Sequence, residues 1–158
     1  MRAKAERPGA DAEGNERAYV AKRPARAVDS SVAIAAILAD SEQHTAAQQA
    51  LADSDLTIAH VAVETYSVLT RIPPPHRVDV ETAAAIVEAR LPPERVTLDA
   101  AQHVSTIHRL ASARIGGGAS YDGLIALTAL EHDLQLISQD RRAARTYLAL
   151  GVRFQLLE

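Results

Sequence analysis

Short apolar runs alternate with helix-length stretches from residue 26 to the end of the chain, and this alternation limits the fold more than any other feature. The apolar runs are Arg26–Asp29, Leu56–Ala59, Arg95–Leu98, Leu134–Ile137 and Val152–Leu156. Between them lie helical patterns over Ser30–Ala39, His44–Ala52, His60–Arg71, Val80–Leu91, Asp99 to about Ile115, Ala119–Glu131 and Arg141–Leu150. Strands separated by helices return to one sheet through crossovers, and crossovers make parallel neighbours. The expectation is an α/β domain with a mainly parallel sheet of about five short strands and seven helices. In such open sheets, ligands collect at the carboxyl ends of the strands.

Punctuation supports these boundaries. Pro73-Pro74-Pro75 and Pro92-Pro93 end helices, because proline lacks the N–H that would continue them. Gly116-Gly117-Gly118 reads as a hinge or helix stop. Ser30 is available to cap the first helix, and Asp99 with Gln102 forms a capping pair. Leu124–Leu130 is apolar almost all round, so its helix should be buried. Residues 1–25 form a polar, Gly/Pro-bearing tail, and 26–158 form the folded domain.

Charge and composition exclude several function classes. Residues 1–26 hold seven Lys/Arg against four Asp/Glu, whereas 27–158 hold ten against sixteen. An acidic body is a poor bulk binder of nucleic acid, and a polyanion could approach it only if something such as a divalent cation offset the charge. The absence of cysteine excludes disulfides, thiolate zinc, iron–sulfur clusters and a cysteine nucleophile. No apolar run reaches the length of a membrane span and no secretory signal opens the chain. The expected location is the cytoplasm, with no membrane partner.

Four acids stand where chemistry is expected. Asp29 follows the first strand, which is equally the place of a helix cap. Glu64 lies three residues after Val61 and four before Val68, on what reads as the core-facing stripe with Thr65 and Ile72. A carboxylate there needs a cation, a shifted pKa, a partner such as Arg71, or an exposed edge of the stripe. Asp122 opens the most apolar helix, where the helix dipole alone would favour it. Asp140 follows the strand Leu134–Ile137 and the capping candidate Ser138. Together the four can meet at one end of a parallel sheet, and oxygen ligands of this kind suit Mg²⁺ or Mn²⁺.

Competing acidic-site folds fail on this chain. Asp29 is followed by Ser30-Ser31, so the paired Asp of aspartyl-phosphate phosphatases is missing. No lysine follows Lys22, which excludes a response-regulator receiver, and no Gly-rich loop runs into Lys-Ser/Thr. The six histidines form no HExxH or HxH pattern; His60 borders the Glu64 helix near a strand end.

The stretches AVDSSVAIA (27–35), AHVAVETYSVLTR (59–71), SYDGLIALTA (120–129) and LISQDRRA (136–143), in this order and spacing, resemble the PIN-domain family, and within it the VapC-type ribonuclease toxins of toxin–antitoxin modules. The resemblance spans 26–158 and leaves the tail aside. It implies a three-layer α/β/α domain whose acidic site is Asp29, Glu64, Asp122 and Asp140. Asp29, Asp122 and Asp140 correspond to metal ligands, directly or through water. Ser30 matches the small hydroxyl residue after the first Asp, and Ser138 the hydroxyl that orients the last one. The implied activity is Mg²⁺- or Mn²⁺-dependent hydrolysis of RNA phosphodiesters, with Glu64 or Asp140 taking a proton from water. Arg71, Arg141, Arg142 and Arg145 are candidates to hold RNA at the rim. The implied partners are RNA, a second copy of the chain, and a cognate antitoxin that places a C-terminal arginine in the acidic pocket. Two alternatives differ in kind. One is a PIN nuclease of RNA processing without an antitoxin, which a neighbouring antitoxin gene would argue against. The other is a non-catalytic PIN-like binding module, which metal-dependent cleavage would exclude.

Overall fold

The computed structural model describes residues 23–158, so all but the last three residues of the polar tail lie outside it. The elements run β1 (Arg26–Val28), α1 (Ser30–Ile37), α2 (His44–Ala52), β2 (Thr57–Ile58), α3 (Ala59–Arg71), α4 (Val80–Arg90), β3 (Arg95–Val96), α5 (Ala100–Ser112), α6 (Ala119–Glu131), β4 (Gln135–Ser138), α7 (Ala143–Leu150) and β5 (Phe154–Leu156). The expected alternation of five strands and seven helices is therefore present among the described residues. Residues 23–25 already belong to the body: Arg23 pairs with Asp55 at 3.3 Å, and the Ala25 carbonyl accepts the Gln135 N–H.

The strands are parallel. β1 pairs with β4 and β4 with β5 in one sheet, and β2 pairs with β3 in another. The two sheets meet where the Asp55 N–H donates to the Arg26 carbonyl at 2.9 Å, which sets β2 beside the other edge of β1. From β1 the chain leaves toward β2 on one side, and from β4 it leaves toward β5 on the other. The junction of β1 and β4 is thus the point where the strand order reverses, the usual seat of a ligand in such sheets.

Successive residues of a strand face opposite sides of the sheet. Leu136, Ile137 and Ser138 are all buried, as are Ala27 and Val28, so both faces are covered by helices. This is the three-layer arrangement that near-continuous apolar strands demand. Tyr147, Ile58, Leu69, Ile125, Leu127 and Leu136 are among the largest wholly buried side chains. α6 is buried from Ile125 to Ala129, as its apolar surface requires.

Two local readings change. Ser30 does not cap α1; Asp29 does, its side chain accepting the Val32 N–H. α5 ends at Ser112, short of the glycines, because Arg114 turns left-handed at φ 57° and the Ile115 N–H closes back on the Leu110 carbonyl. Gly116–Gly118 then makes the turn into α6, with Gly117 at φ 61°. The Asp99–Gln102 pair forms the full reciprocal capping box at the start of α5. No helix among the described residues is long and apolar enough to cross a membrane.

Candidate active site

Asp29 and Asp140 reach the site from the carboxyl ends of adjacent strands. The Asp29 N–H donates to the Ile137 carbonyl at 2.9 Å, which places Asp29 beside Ser138 across the β1–β4 pair. Asp29 is buried, and its carboxylate is held from several sides. Oδ1 accepts the Ser31 hydroxyl at 2.6 Å and the Val32 N–H at 3.2 Å, and Oδ2 accepts the Tyr147 hydroxyl at 3.1 Å. Burial pushes its pKa up, against hydrogen bonds from Ser138, Ser31, Val32 and Tyr147 that pull it down. The Tyr147 phenol is itself driven well above its ordinary range by burial and by the charge of Asp29.

Asp140 is oriented by its own loop. Its N–H donates to the Ser138 hydroxyl at 3.1 Å, and its Oδ1 accepts the Arg142 N–H at 2.7 Å. Ser138 is fully buried beside Asp29, and its hydroxyl is among the groups that pull the Asp29 pKa down. The loop is tied to α1 as well, since the Gln139 N–H donates to Ser31 Oγ and the Gln139 side-chain amide to the Ser31 carbonyl.

α6 and α3 bring the other two acids. Asp122 sits in the first turn of α6. Its neighbour Gly123 lets α6 approach α5, because a Cβ there would stand 2.3 Å from a Leu110 methyl. A carboxylate favoured only by the helix dipole would have a lowered pKa. Asp122 instead is pushed up to about 6, by burial first and then by the charges of Glu64, Asp140 and Asp29, with Arg142 opposing. Asp122 is therefore near enough to each of the other three acids to feel its charge. As their side chains stand, no three His, Asp or Glu residues among the described residues are grouped so that they could hold a metal ion.

On α3, Val61, Ala62, Thr65 and Leu69 face the core, so Glu64 lies at the edge of the buried stripe rather than in its middle. One of its oxygens, Oε2, is nevertheless buried without a hydrogen-bond partner. Arg71 forms no ion pair with it. The two side chains share a cleft of 340 Å³, lined also by His60, Val63, Ser67 and Tyr121. An unpaired buried carboxylate oxygen is costly, and it marks a place where a cation would be welcome.

The PIN-domain family model matches residues 26–148. The chain belongs to the PIN-domain family. Its curated relatives include ribonuclease VapC40 of Mycobacterium tuberculosis, 40% identical over 131 residues that cover 83% of this chain and 98% of the relative. Ribonuclease VapC27 of the same species is 37% identical over 132 residues, covering 82% of this chain and 95% of the relative. Among solved structures, that of FitAB bound to an IR36 DNA fragment matches with a TM-score of 0.57 at 17% identity, over 84% of this chain and 96% of the other. That likeness bears on the fold alone.

Within this PIN domain the structure treats the sequence candidates unequally. Glu64, Asp140 and Asp29 all lie near enough to Asp122 to raise its pKa, and Ser138 accepts the Asp140 N–H. The serine hydroxyl that donates to Asp29 is that of Ser31, whereas Ser30 makes no side-chain hydrogen bond among the described residues. Arg142 reaches Asp140 at 3.6 Å from an exposed position, and Arg71 lines the Glu64 cleft. Arg141 and Arg145 are exposed and pair with no carboxylate among the described residues. Tyr147 and Gln139 carry no motif signal in the sequence. Tyr147 lies 118 residues from the acid it serves, which only folding brings within reach.

Proposed function

We propose that this PIN domain is a divalent-metal-dependent endoribonuclease of the VapC kind, the toxin of a toxin–antitoxin module. The observation that carries the reading is Asp122, pushed up to about 6 by burial and then by the charges of Glu64, Asp140 and Asp29, beside the β1–β4 switch point. Its support from relatives is the pair of ribonucleases similar over most of the chain.

The donor set fits Mg²⁺ or Mn²⁺, being all oxygen, with an unpartnered buried oxygen on Glu64 and mutual repulsion that a cation would relieve. Asp29, Asp122 and Asp140 would hold the ion directly or through water, and Glu64 would complete the acidic shell. Such an ion supplies Lewis acidity toward a phosphodiester and offsets the charge of the acids. Tyr147, Ser31 and the Val32 N–H fix the Asp29 carboxylate in one orientation, so it need not reorganise when the site fills. Glu64 or Asp140 takes the proton of the attacking water. Arg71 and Arg142, with Arg141 and Arg145 further along the rim, hold the RNA phosphates. Cleavage leaves a 5′-phosphate and a 3′-hydroxyl.

The same cluster suits an arginine from the C-terminal segment of a cognate antitoxin, because a guanidinium supplies the positive charge that four acids lack. The exposed Val104 and Ile107, neighbours on one face of α5, favour a homodimer, which a mass measurement at micromolar concentration checks. The deciding experiment is incubation of total RNA with the purified protein in Mg²⁺, in Mn²⁺ and in EDTA, beside Asp29→Ala. Discrete fragments that need both metal and Asp29 are expected. A folded protein, free of antitoxin, that cleaves nothing under any of these conditions would sink the reading.

A further inference from the structure

Two rings stand over the cleft that Glu64 and Arg71 share. His60 and Tyr121 stack in parallel, 6° from coplanar, with centroids 5.6 Å apart. His60 lies one helical turn before Glu64 on α3, and Tyr121 immediately precedes Asp122 on α6. Each ring is thus rooted beside an acid of the site, one on each side of the α3–α6 seam. Tyr121 is 59% exposed, an unusual place for a large ring with apolar faces. Its hydroxyl has no hydrogen-bond partner among the described residues, so the ring is not held there by a polar contact.

On α3, His60, Glu64, Ser67 and Arg71 recur at intervals of three and four residues, which puts them on one helix face. That face looks into the 340 Å³ cleft, within the size range of small-ligand pockets. The cleft therefore offers a flat aromatic surface, a hydroxyl, a guanidinium that pairs with no carboxylate among the described residues, and the Glu64 carboxylate, beside the apolar Val63. These are the groups that a nucleotide needs: a face for the base, a donor for the sugar and a cation for the phosphate.

We propose that the His60–Tyr121 stack is the platform for the base of a nucleotide adjoining the scissile phosphate, with Ser67 at its sugar and Arg71 on its phosphate. The proposal rests on the nuclease reading above and adds where one base sits. The exposed face of Tyr121 takes the base, and His60 backs the tyrosine so that the platform is rigid before RNA arrives. Stacking of this kind tolerates any base but rewards the larger ones, so the subsite biases the enzyme toward a purine next to the cut.

The test first maps the cleavage sites of the parent in total RNA by end sequencing. It then uses a single-stranded oligoribonucleotide of the mapped sequence, with 2-aminopurine placed on either side of the cut. Fluorescence quenching at one flanking position is expected on binding to the parent. Tyr121→Ala should abolish the quenching, raise KM by roughly five- to a hundred-fold and change kcat much less. Tyr121→Phe should restore both, since the ring and not the hydroxyl makes the stack. His60→Ala should give a smaller loss in the same direction. Unchanged quenching and KM in Tyr121→Ala and His60→Ala, with the parent cleaving normally, would overturn the platform and leave the nuclease reading standing. A Tyr121→Ala protein whose mass in solution changes while its KM does not would also overturn it, and assign the rings to a protein interface. A parent that neither binds nor cleaves RNA overturns both readings.

Discussion

Asp29 and Asp79 perform the same local task and live in opposite surroundings. Each stands just before a helix, takes extended backbone angles and accepts the N–H three residues on, Val32 for Asp29 and Thr82 for Asp79. Asp79 is open to water, and the hydrogen bonds from Thr82 pull its pKa down. Asp29 accepts more hydrogen bonds and still has its pKa pushed up, because burial outweighs them. A cap is a property of five residues. Charge in a low-dielectric basin among other acids is a property of the whole fold. The two places therefore separate what a helix start needs from what burial among other acids adds.

The largest expected effect comes from removing one charge in each place. Asp29→Asn should lower RNA cleavage by roughly a hundred-fold or more, since even groups that merely support metal ligands are worth 10- to 100-fold. Asparagine still caps a helix, and one buried charge is gone, so the melting temperature in EDTA should hold or rise. Asp79→Asn should change neither. Cleavage retained in Asp29→Asn would mean that this acid is a cap and nothing more.

Tyr147→Phe comes next. It removes the hydroxyl that holds Asp29 Oδ2 and should cost about 2 kcal/mol by chemical denaturation, the usual worth of a buried hydrogen bond to a charged group. Activity should fall as well, by less than in Asp29→Asn. An unaltered denaturation midpoint would show that the hydroxyl does not hold the carboxylate.

A smaller loss is expected from the exposed capping box. Asp99→Ala should cost about 1 kcal/mol by the same measurement, with RNA cleavage untouched. A loss of activity there would tie α5 to the site in a way its geometry does not suggest.

The smallest effect is in pH. Asp122 has a folded pKa of about 6 against an ordinary 3.8, so the folded state holds its proton where the unfolded chain has lost it. Its contribution to stability is fully present below about 3.8 and is lost as pH rises through 6. Asp29 acts in the same direction and Asp79 in the opposite one, since a lowered pKa stabilises above the unfolded value and fails below it. In EDTA, the melting temperature should therefore climb as pH falls from 7 to about 5, and Asp122→Asn should flatten that climb. A saturating divalent cation should flatten it too, by favouring the ionised acids. A climb that survives in Asp122→Asn would place the titrating group elsewhere.

The sequence reading went furthest where cause and effect lie close in the chain. Element order, the three prolines after α3, the Asp99–Gln102 box and the buried α6 all follow from patterns a few residues long. It misjudged ends and contacts. Ser30 and Asp29 are both good caps, and which of them bonds Val32 depends on how β1 aims the chain. Glu64 reads as central to its stripe because Val68 and Ile72 are apolar, but the structure turns Ala62 and Leu69 inward and moves Glu64 to the edge. That edge position is what lets one oxygen be buried while the helix face beside it opens to the cleft.

By itself, then, the sequence determined the parallel α/β order and singled out four acids as candidates, because helix and strand periods and strand-end positions are written locally. Only the tertiary structure decided which groups attend those acids. Ser31 rather than Ser30 binds Asp29, Tyr147 reaches it from α7, and burial, followed by the charges of Glu64, Asp140 and Asp29, lifts Asp122. The physical reason is that hydrogen bonds and desolvation act over a few ångströms of space, and no spacing along the chain encodes which distant residues will share them.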